Sequence, residues 1–415
     1  MSHRTHLVAG LAGALLVMNS GTAPGAEGPR ETARARAYPP APTADVVDTY
    51  HGTRVADPYR PLEDPDAPAT RAWIEAENRI TFGFLEGIPA RERIRRRLTE
   101  LWDYEKFGVP EQQGGRYFYS RNSGLQNQAV LYAAASLGGD PRVLLDPTTL
   151  SPDGTVALGG TAISDDGRSL AYGLAAAGSD WQEWKVRDVM TGRDRADHLK
   201  WIKFSTASWT KDGRGFYYGR FPEPKAGEDL RGANYDQKLY YHELGTPQSE
   251  DRLVYERPDQ KEWQFAGTVT DDGRYLVITV SKGTDDKYRI LYQDLEAAAP
   301  APPVELIDHF EHEYSFIDND GPVFWFKTNQ DAPRGRVIAI DTRQPAPAHG
   351  REVIPQAAET LESVHLVGDR FIAAYLKDAH SQVKVFDRDG HFEREVELPG
   401  LGTATGFGGK RSDRE

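Results

Sequence analysis

Cysteine is absent from all 415 residues. That excludes disulfide frameworks, thiol nucleophiles, cysteine-ligated zinc, iron–sulfur clusters and a lipidated N-terminal cysteine together. Positive charge is in deficit: 50 lysines and arginines stand against 63 aspartates and glutamates, a net charge of −13. A molecule of that sign repels phosphate backbones, so nucleic acid is not an expected partner. The longest basic cluster, Arg91 to Arg97, is interleaved with Glu92 and Ile94 and reads as the solvated face of a helix. Membrane-spanning hydrophobic runs are missing too, since Leu7 to Met18 is only twelve residues long and no other stretch comes near bilayer thickness.

Catalytic signatures are equally scarce. There is no G-x-S-x-G elbow, no G-x-G-x-x-G after a strand, no G-x-x-x-x-G-K-[ST] and no EF-hand loop. Gly167-Arg168-Ser169-Leu170-Ala171 is the nearest string to a nucleophile elbow, but it lies on a repeated turn, so Ser169 is expected to be structural. His309-Phe310-Glu311-His312 lacks the i, i+4 spacing and third ligand of a helical zinc site and reads as the start of a strand carrying a surface pair. Paired carboxylates such as Asp271-Asp272 are turn formers without an acid–base partner. No metal and no cofactor is expected.

What is present begins with a targeting segment. Arg4 lies in a short polar start, Leu7 to Met18 is apolar, and Asn19 to Gly28 is small and polar, the order of a secretory signal peptide. Residues 1–26 are therefore expected to be removed, leaving an exported protein, periplasmic or secreted, with no membrane association. Residues 29–45, rich in Pro, Ala and Arg, read as a flexible lead-in. Asp57-Pro58 and Asp64-Pro65 bracket a turn-rich stretch. Helical periodicity then predicts a helix from about Ala67 to Glu86 and a second from about Pro89 to Trp102, with its end marked by Gly108-Val109-Pro110.

Beyond residue 104 the helical period gives way to a repeat. Asp165-Asp166-Gly167-Arg168, Lys211-Asp212-Gly213-Arg214, Asp271-Asp272-Gly273-Arg274 and Asn319-Asp320-Gly321 each lead into a β-branched or aromatic run. Their glycines stand 46, 60 and 48 residues apart, and the long interval holds a Pro/Gly-rich insertion at Pro222 to Asn234. Weaker copies occur at Gly114-Gly115-Arg116 and Gly368-Asp369-Arg370. A period in the forties with about four short strands per unit predicts a β-propeller, a mainly β fold; a β-sandwich would carry this regularity only by chance. Six units fit between Glu105 and Leu398, and Gly402 to Phe407 reads as the beginning of a seventh. The expected organisation is a signal peptide over 1–26, an N-terminal helical segment over 27–104, and a propeller of the seven-bladed type over 105–415, incomplete at its C-terminal end.

The strings Asp48-Thr49-Tyr50-His51-Gly52, Val55-Ala56-Asp57-Pro58-Tyr59-Arg60-Pro61-Leu62-Glu63-Asp64-Pro65 and Gly124 to Tyr132 closely resemble the prolyl oligopeptidase family of serine peptidases. So do Gly178-Ser179-Asp180-Trp181, Gln237-Lys238-Leu239-Tyr240-Tyr241-His242, Leu244-Gly245-Thr246 and Thr403 to Lys410, in one order from about Tyr38 to Glu415. The resemblance implies a propeller that covers the active site of a C-terminal α/β-hydrolase domain, onto which the N-terminal segment packs. It implies short proline-containing peptides as substrates, cut on the carboxyl side of proline, and a monomer. The Ser, Asp and His of the triad would belong to the hydrolase domain, so no catalytic residue is assigned in this chain and the chain alone is expected to be inactive. By the same resemblance Asp180 faces the active-site cavity and Phe204 lines an apolar pocket for a substrate side chain upstream of proline. Gln264 and Thr284 fall where some members carry methionine and cysteine, giving a more polar pocket. The plain alternative makes Asp180 a turn residue and Phe204 core. Other readings of the whole are a non-catalytic propeller that binds peptides, or one half of a split peptidase that docks a separate hydrolase chain.

Overall fold

Tight reversals set the architecture from residue 105 onward. In Ser164 to Arg168, Thr210 to Arg214 and Thr270 to Arg274 the same bonds recur: the aspartate before the glycine accepts from the arginine N–H and from the Ser or Thr hydroxyl. The glycines Gly167, Gly213 and Gly273 adopt φ of 64°, 66° and 77°, a left-handed conformation that a side chain resists and a tight hairpin needs. The computed structural model describes residues 37–225, 227, 232–297, 301–345 and 350–413. The expected signal peptide and most of the lead-in, together with part of the Pro222 to Asn234 insertion, lie outside those residues.

Among the described residues the chain divides into two compact units, residues 37–104 and residues 105–413. The second is mainly β, with six antiparallel sheets succeeding one another as blades. Blade 1 holds Lys106–Phe107, Glu111–Gln113, Arg116–Asn122, Val130–Ala134 and Arg142–Leu145. Blade 2 holds Val156–Ile163, Ser169–Ala176, Gln182–Asp188 and Asp194–Ile202; blade 3 holds Ser208–Trp209, Gly215–Arg220, Lys238–Glu243 and Arg252–Tyr255. Blade 4 comprises Trp263–Val269, Tyr275–Lys282, Arg289–Asp294 and Val304–Ile307; blade 5 comprises Tyr314–Asp320, Val323–Thr328, Arg336–Asp341 and Arg351–Ile354. Blade 6 comprises Thr360–Val367, Arg370–Lys377, His380–Phe386 and Phe392–Val396. In blades 2 to 6 each strand pairs with the next in sequence. The second strand of blades 4 and 5 has an apolar stretch because both of its faces are covered there: Tyr275 to Ile278 and Phe324 to Phe326 are buried without interruption.

Five apolar clusters fill the five seams between these blades. Leu131, Leu145 and Tyr172 join blades 1 and 2; Trp184, Leu199, Trp209 and Phe216 join 2 and 3. Leu239, Phe265 and Leu291 join 3 and 4, Ile307, Phe324 and Ile338 join 4 and 5, and Trp325, Val353 and Phe371 join 5 and 6. Residues 402–413, expected to start a further strand, form no strand. They bond to blade 6, where the Ser381 N–H donates to the Gly402 carbonyl at 2.9 Å, and reach blade 1 at Val109, 2.9 Å from where a Cβ on Gly406 would sit.

The first unit contains two helices, α1 over Pro68–Glu86 and α2 over Arg91–Trp102. Proline at the start of α1 costs nothing, because its missing N–H is one that no intrahelical acceptor would use. Before the helices, Val47–Tyr50 and Thr53–Ala56 form a hairpin around His51 and Gly52, both at positive φ, a structure that the helix-weighted expectation for this segment lacked. Helix α2 stops at Trp102, where the helical periodicity ended it, with the Asp103 N–H bonded to the Thr99 carbonyl; Gly108-Val109-Pro110 lies beyond it, between Lys106–Phe107 and Glu111–Gln113. His309 to His312 also departs from expectation: it is a bend, and the strand begins at Tyr314. Phe310 there packs on Trp263 with ring centroids 5.1 Å apart, which fixes the bend ahead of the strand.

Candidate functional site

In a four-stranded antiparallel blade the turn joining strands one and two lies at one end. The loop joining strands two and three, and the crossover to the next blade, lie at the other. Asp180, Phe204, Gln264 and Thr284 all fall at this second end, on blades 2 to 4.

Asp180 is exposed on the loop between Ser169–Ala176 and Gln182–Asp188, which turns through Ala177 and Gly178 at positive φ. The adjacent Trp181 meets Trp201 and Phe221 edge-on, with centroids 5.8 and 6.1 Å away. Lys203 lies 4.0 Å from the centre of the Trp181 ring and donates to the side-chain amide oxygen of Asn234 at 3.1 Å. Its buried stem carries the loop on which Phe204 stands. Phe204 itself is 56% exposed with φ of 53°. A phenylalanine held in the left-handed region and pointed at solvent is not core, and the core alternative for this residue is thereby corrected.

Gln264 is half-buried on the first strand of blade 4 and pairs with Ser281; Thr284 is exposed just beyond Gly283 at the end of the partner strand. The two positions are therefore neighbours at one end of one hairpin. Behind them Trp263 is flanked by the guanidiniums of Arg257 and Arg289, 4.7 and 4.8 Å from its ring, a stacking that fixes the indole.

A residue that sequence reasoning did not single out ties the two pairs together. Gln237, 2% exposed, accepts from the Phe265 N–H at 2.6 Å and donates to the Lys203 carbonyl at 3.5 Å. One buried amide thus links the loop of Phe204 to the strand of Gln264. Its only sequence signal was its place in the Gln237 to His242 string, directly before the strand Lys238–Glu243. At this end Asp180, Phe204 and Thr284 are exposed and Gln264 is half-buried, while Lys203 beside Trp181 is buried. Among the described residues no group of three or more His, Asp or Glu is arranged to hold a metal.

The opposite end is lined by the Asp-Gly turns, and these are cross-linked by charge. Lys211 bridges Asp165 at 2.6 Å and Asp271 at 3.1 Å; Lys410 bridges Gln113 at 2.7 Å and Asp165 at 2.6 Å. Asn319 donates to Asp272 at 2.7 Å, and Arg411 reaches Asp369 at 2.8 Å and the Asn319 carbonyl at 3.2 Å. Burial works against ionisation of Asp165, but Lys211 and Lys410 overcome it and hold the carboxyl below the usual range. Buried Asp318 in the same collar behaves oppositely. Burial pushes it up to about 6; the Asn319 N–H opposes this and nearby Asp271 adds to it. Because the native state binds this proton more tightly than the unfolded chain, the contribution of Asp318 to stability is greatest below about pH 4 and falls as pH rises through about 6. Asp318→Asn is accordingly expected to stabilise the propeller by ~2 kcal/mol at pH 8 and to change little at pH 4, as read by urea unfolding at the two values.

With this geometry established, comparison with known proteins finds that residues 39–415 match the family model described as prolyl oligopeptidase, N-terminal beta-propeller domain. The prolyl endopeptidase of Elizabethkingia miricola is 35% identical over 378 residues, which cover 91% of this chain and 53% of that protein. Prolyl oligopeptidase A of Galerina marginata is 33% identical over 395 residues, covering 86% of this chain and 52% of that protein. Among solved structures, prolyl oligopeptidase B of Galerina marginata bound to a 25mer macrocyclization substrate superposes with a TM-score of 0.82 at 27% identity, covering 90% of this chain and 56% of that one. The chain spans about half the length of the curated relatives it matches.

Proposed function

The chain belongs to the prolyl oligopeptidase family, and from that premise we propose that it is the N-terminal and substrate-gating portion of a serine endopeptidase that hydrolyses short peptides on the carboxyl side of proline. The observation that carries this reading is the unbroken family match over residues 39–415, with relatives named prolyl endopeptidase at 35% identity. The attacking serine, its histidine base and the orienting aspartate would come from an α/β-hydrolase domain, which would also supply the oxyanion hole. This chain would contribute the covering propeller and one side of the peptide pocket, through Phe204, Asp180, Gln264 and Thr284.

Two features support the division of labour. Helix α2 leaves Ile94, Leu98, Leu101 and Trp102 more than half exposed, at spacings that form one stripe. An apolar stripe of this kind suits burial against a hydrolase surface better than it suits water. Residues 402–413, lying between blades 6 and 1, would be the first strand and turn of a seventh blade. The N-terminal apolar segment, residues 7–18, supports export to the periplasm or medium.

The test is reconstruction. Joined in one polypeptide to the hydrolase half of a prolyl endopeptidase, the chain is expected to support turnover of a chromogenic peptide ending in proline and to exclude folded proteins as substrates. Alone it is expected to release no chromophore and to take no label from a fluorophosphonate. A labelled serine in the isolated chain, or a joined enzyme that prefers another residue to proline, would defeat the reading.

A further inference from the structure

Blade 3 grips the last strand of blade 2 and the loop that follows it at a succession of points. Asp197 accepts the Gly245 N–H at 2.6 Å and meets His242 Nε2 at 3.1 Å. Gln248 then treats Lys200 as a strand partner would, accepting its N–H at 3.1 Å and donating to its carbonyl at 3.0 Å, while also donating to the Tyr218 hydroxyl at 3.1 Å. The Trp201 carbonyl accepts from the Phe221 N–H at 3.0 Å, and Ser205 Oγ accepts from the Gly219 N–H at 2.8 Å. Between these last two anchors, Trp201 and Phe204 both have left-handed backbones, with φ of 63° and 53°.

Bulky residues hold that conformation only where surrounding contacts over-determine it. Here the contacts are backbone N–H groups of the neighbouring blade together with the Gln248 and His242 side chains, and the strained loop that follows carries the exposed Phe204. We propose that Gln248 and His242 are positioning residues for the peptide pocket: they pin the edge strand of blade 2 to blade 3 and so hold the Phe204 ring out where substrate passes. The proposal rests on the reading of Phe204 as a wall of that pocket. Neither residue touches substrate. Each acts through residues 197–205, so its loss changes how Phe204 is presented and leaves the reacting groups alone.

Gln248 is the better probe, since its side chain lies at the exposed rim of the seam and Gln248→Met keeps its length while removing the amide. In the chain joined to its hydrolase domain, Gln248→Met is expected to raise KM about fivefold for a peptide with phenylalanine upstream of proline, at unchanged kcat. The alanine counterpart peptide is expected to be unaffected. In a Phe204→Ala background the same substitution is expected to add nothing, because the two act through one contact. Hydrogen exchange over residues 201–205 of the 415-residue chain is expected to quicken by about tenfold or more in Gln248→Met, a readout independent of any activity. Unchanged exchange in that segment overturns the positioning role outright, as does a KM effect that persists in full without Phe204. Should Phe204→Ala leave both peptides unaffected while exchange still quickens in Gln248→Met, the pocket reading fails and the clamp on the loop stands.

Discussion

Alanine in place of His242 is expected to cost the propeller about 3–5 kcal/mol, the range measured when one member of a buried charged pair is removed. The imidazole is fully buried between two equally buried carboxylates, Asp251 on its Nδ1 at 2.7 Å and Asp197 on its Nε2 at 3.1 Å. Burial by itself would keep the ring neutral, but the two carboxylates overcome it and raise the imidazolium pKa to about 9. Without the ring, two carboxylates are left facing a cavity with no cation between them. Substituting both aspartates with asparagine along with the histidine should therefore cost less than the single change, since no uncompensated charge is left inside. The sign of the pH dependence follows from the raised value. The histidine's contribution is fully present below its ordinary pKa of 6.5 and is lost as pH rises through about 9. Urea unfolding at pH 6 and pH 10 should show wild type losing stability over that interval and His242→Ala losing distinctly less; equal losses would show that the ring is not protonated in the fold.

A methyl group on Gly114 is expected to be as damaging, through sterics alone. Gly114 lies in the first turn of blade 1 at φ of 54°, and a Cβ there would stand 2.0 Å from the Asp166 carbonyl oxygen and 2.6 Å from the Gly167 nitrogen. Both obstacles are backbone, so no rotamer change relieves the clash and the first two blades must separate at that end. We expect a loss of about 3–5 kcal/mol for Gly114→Ala, the upper range for overpacking and strain combined. The neighbouring Gly115 supplies the control. Its φ of 73° is equally left-handed, but nothing lies within 4 Å of its missing Cβ. Gly115→Ala should therefore cost only the ~1–2 kcal/mol of the backbone conformation itself. Thermal melts of the pair would separate conformational strain from the close approach of two blades. Similar losses in both would remove the clash as the cause.

The repeat could be read from sequence because its signals are local. A Ser or Thr two positions before the aspartate, glycine after it and arginine next make a self-contained turn, and the apolar run that follows is dictated by burial on both faces. The helices were readable for a similar reason, down to the end of α2 at Trp102. The site was readable only by resemblance, and then only as separate residues. Nothing near Gln237 in sequence reveals that its amide will span Lys203 and Phe265, 34 and 28 residues away. The Asp197–His242–Asp251 group escaped for the same reason: its members come from two blades, and a charged histidine inside an aromatic core contradicts its local surroundings. Phe204 shows the limit most plainly. Hydrophobicity argues for burial, and only the left-handed backbone, imposed by blade 3, turns the ring outward.

Blades 2 to 5 each share apolar side chains with the blade before and the blade after, and blades 1 and 6 with one described neighbour, in five separate clusters. Damage in such an object is expected to stay local in its arithmetic: truncations made in two different seams should sum, whereas two in the same seam should interact. Substitutions in one joint therefore leave the tolerances of the remaining joints as they were. A lineage carrying this fold can rework blades 2 to 4 while drawing on reserves of stability held in blades 5 and 6.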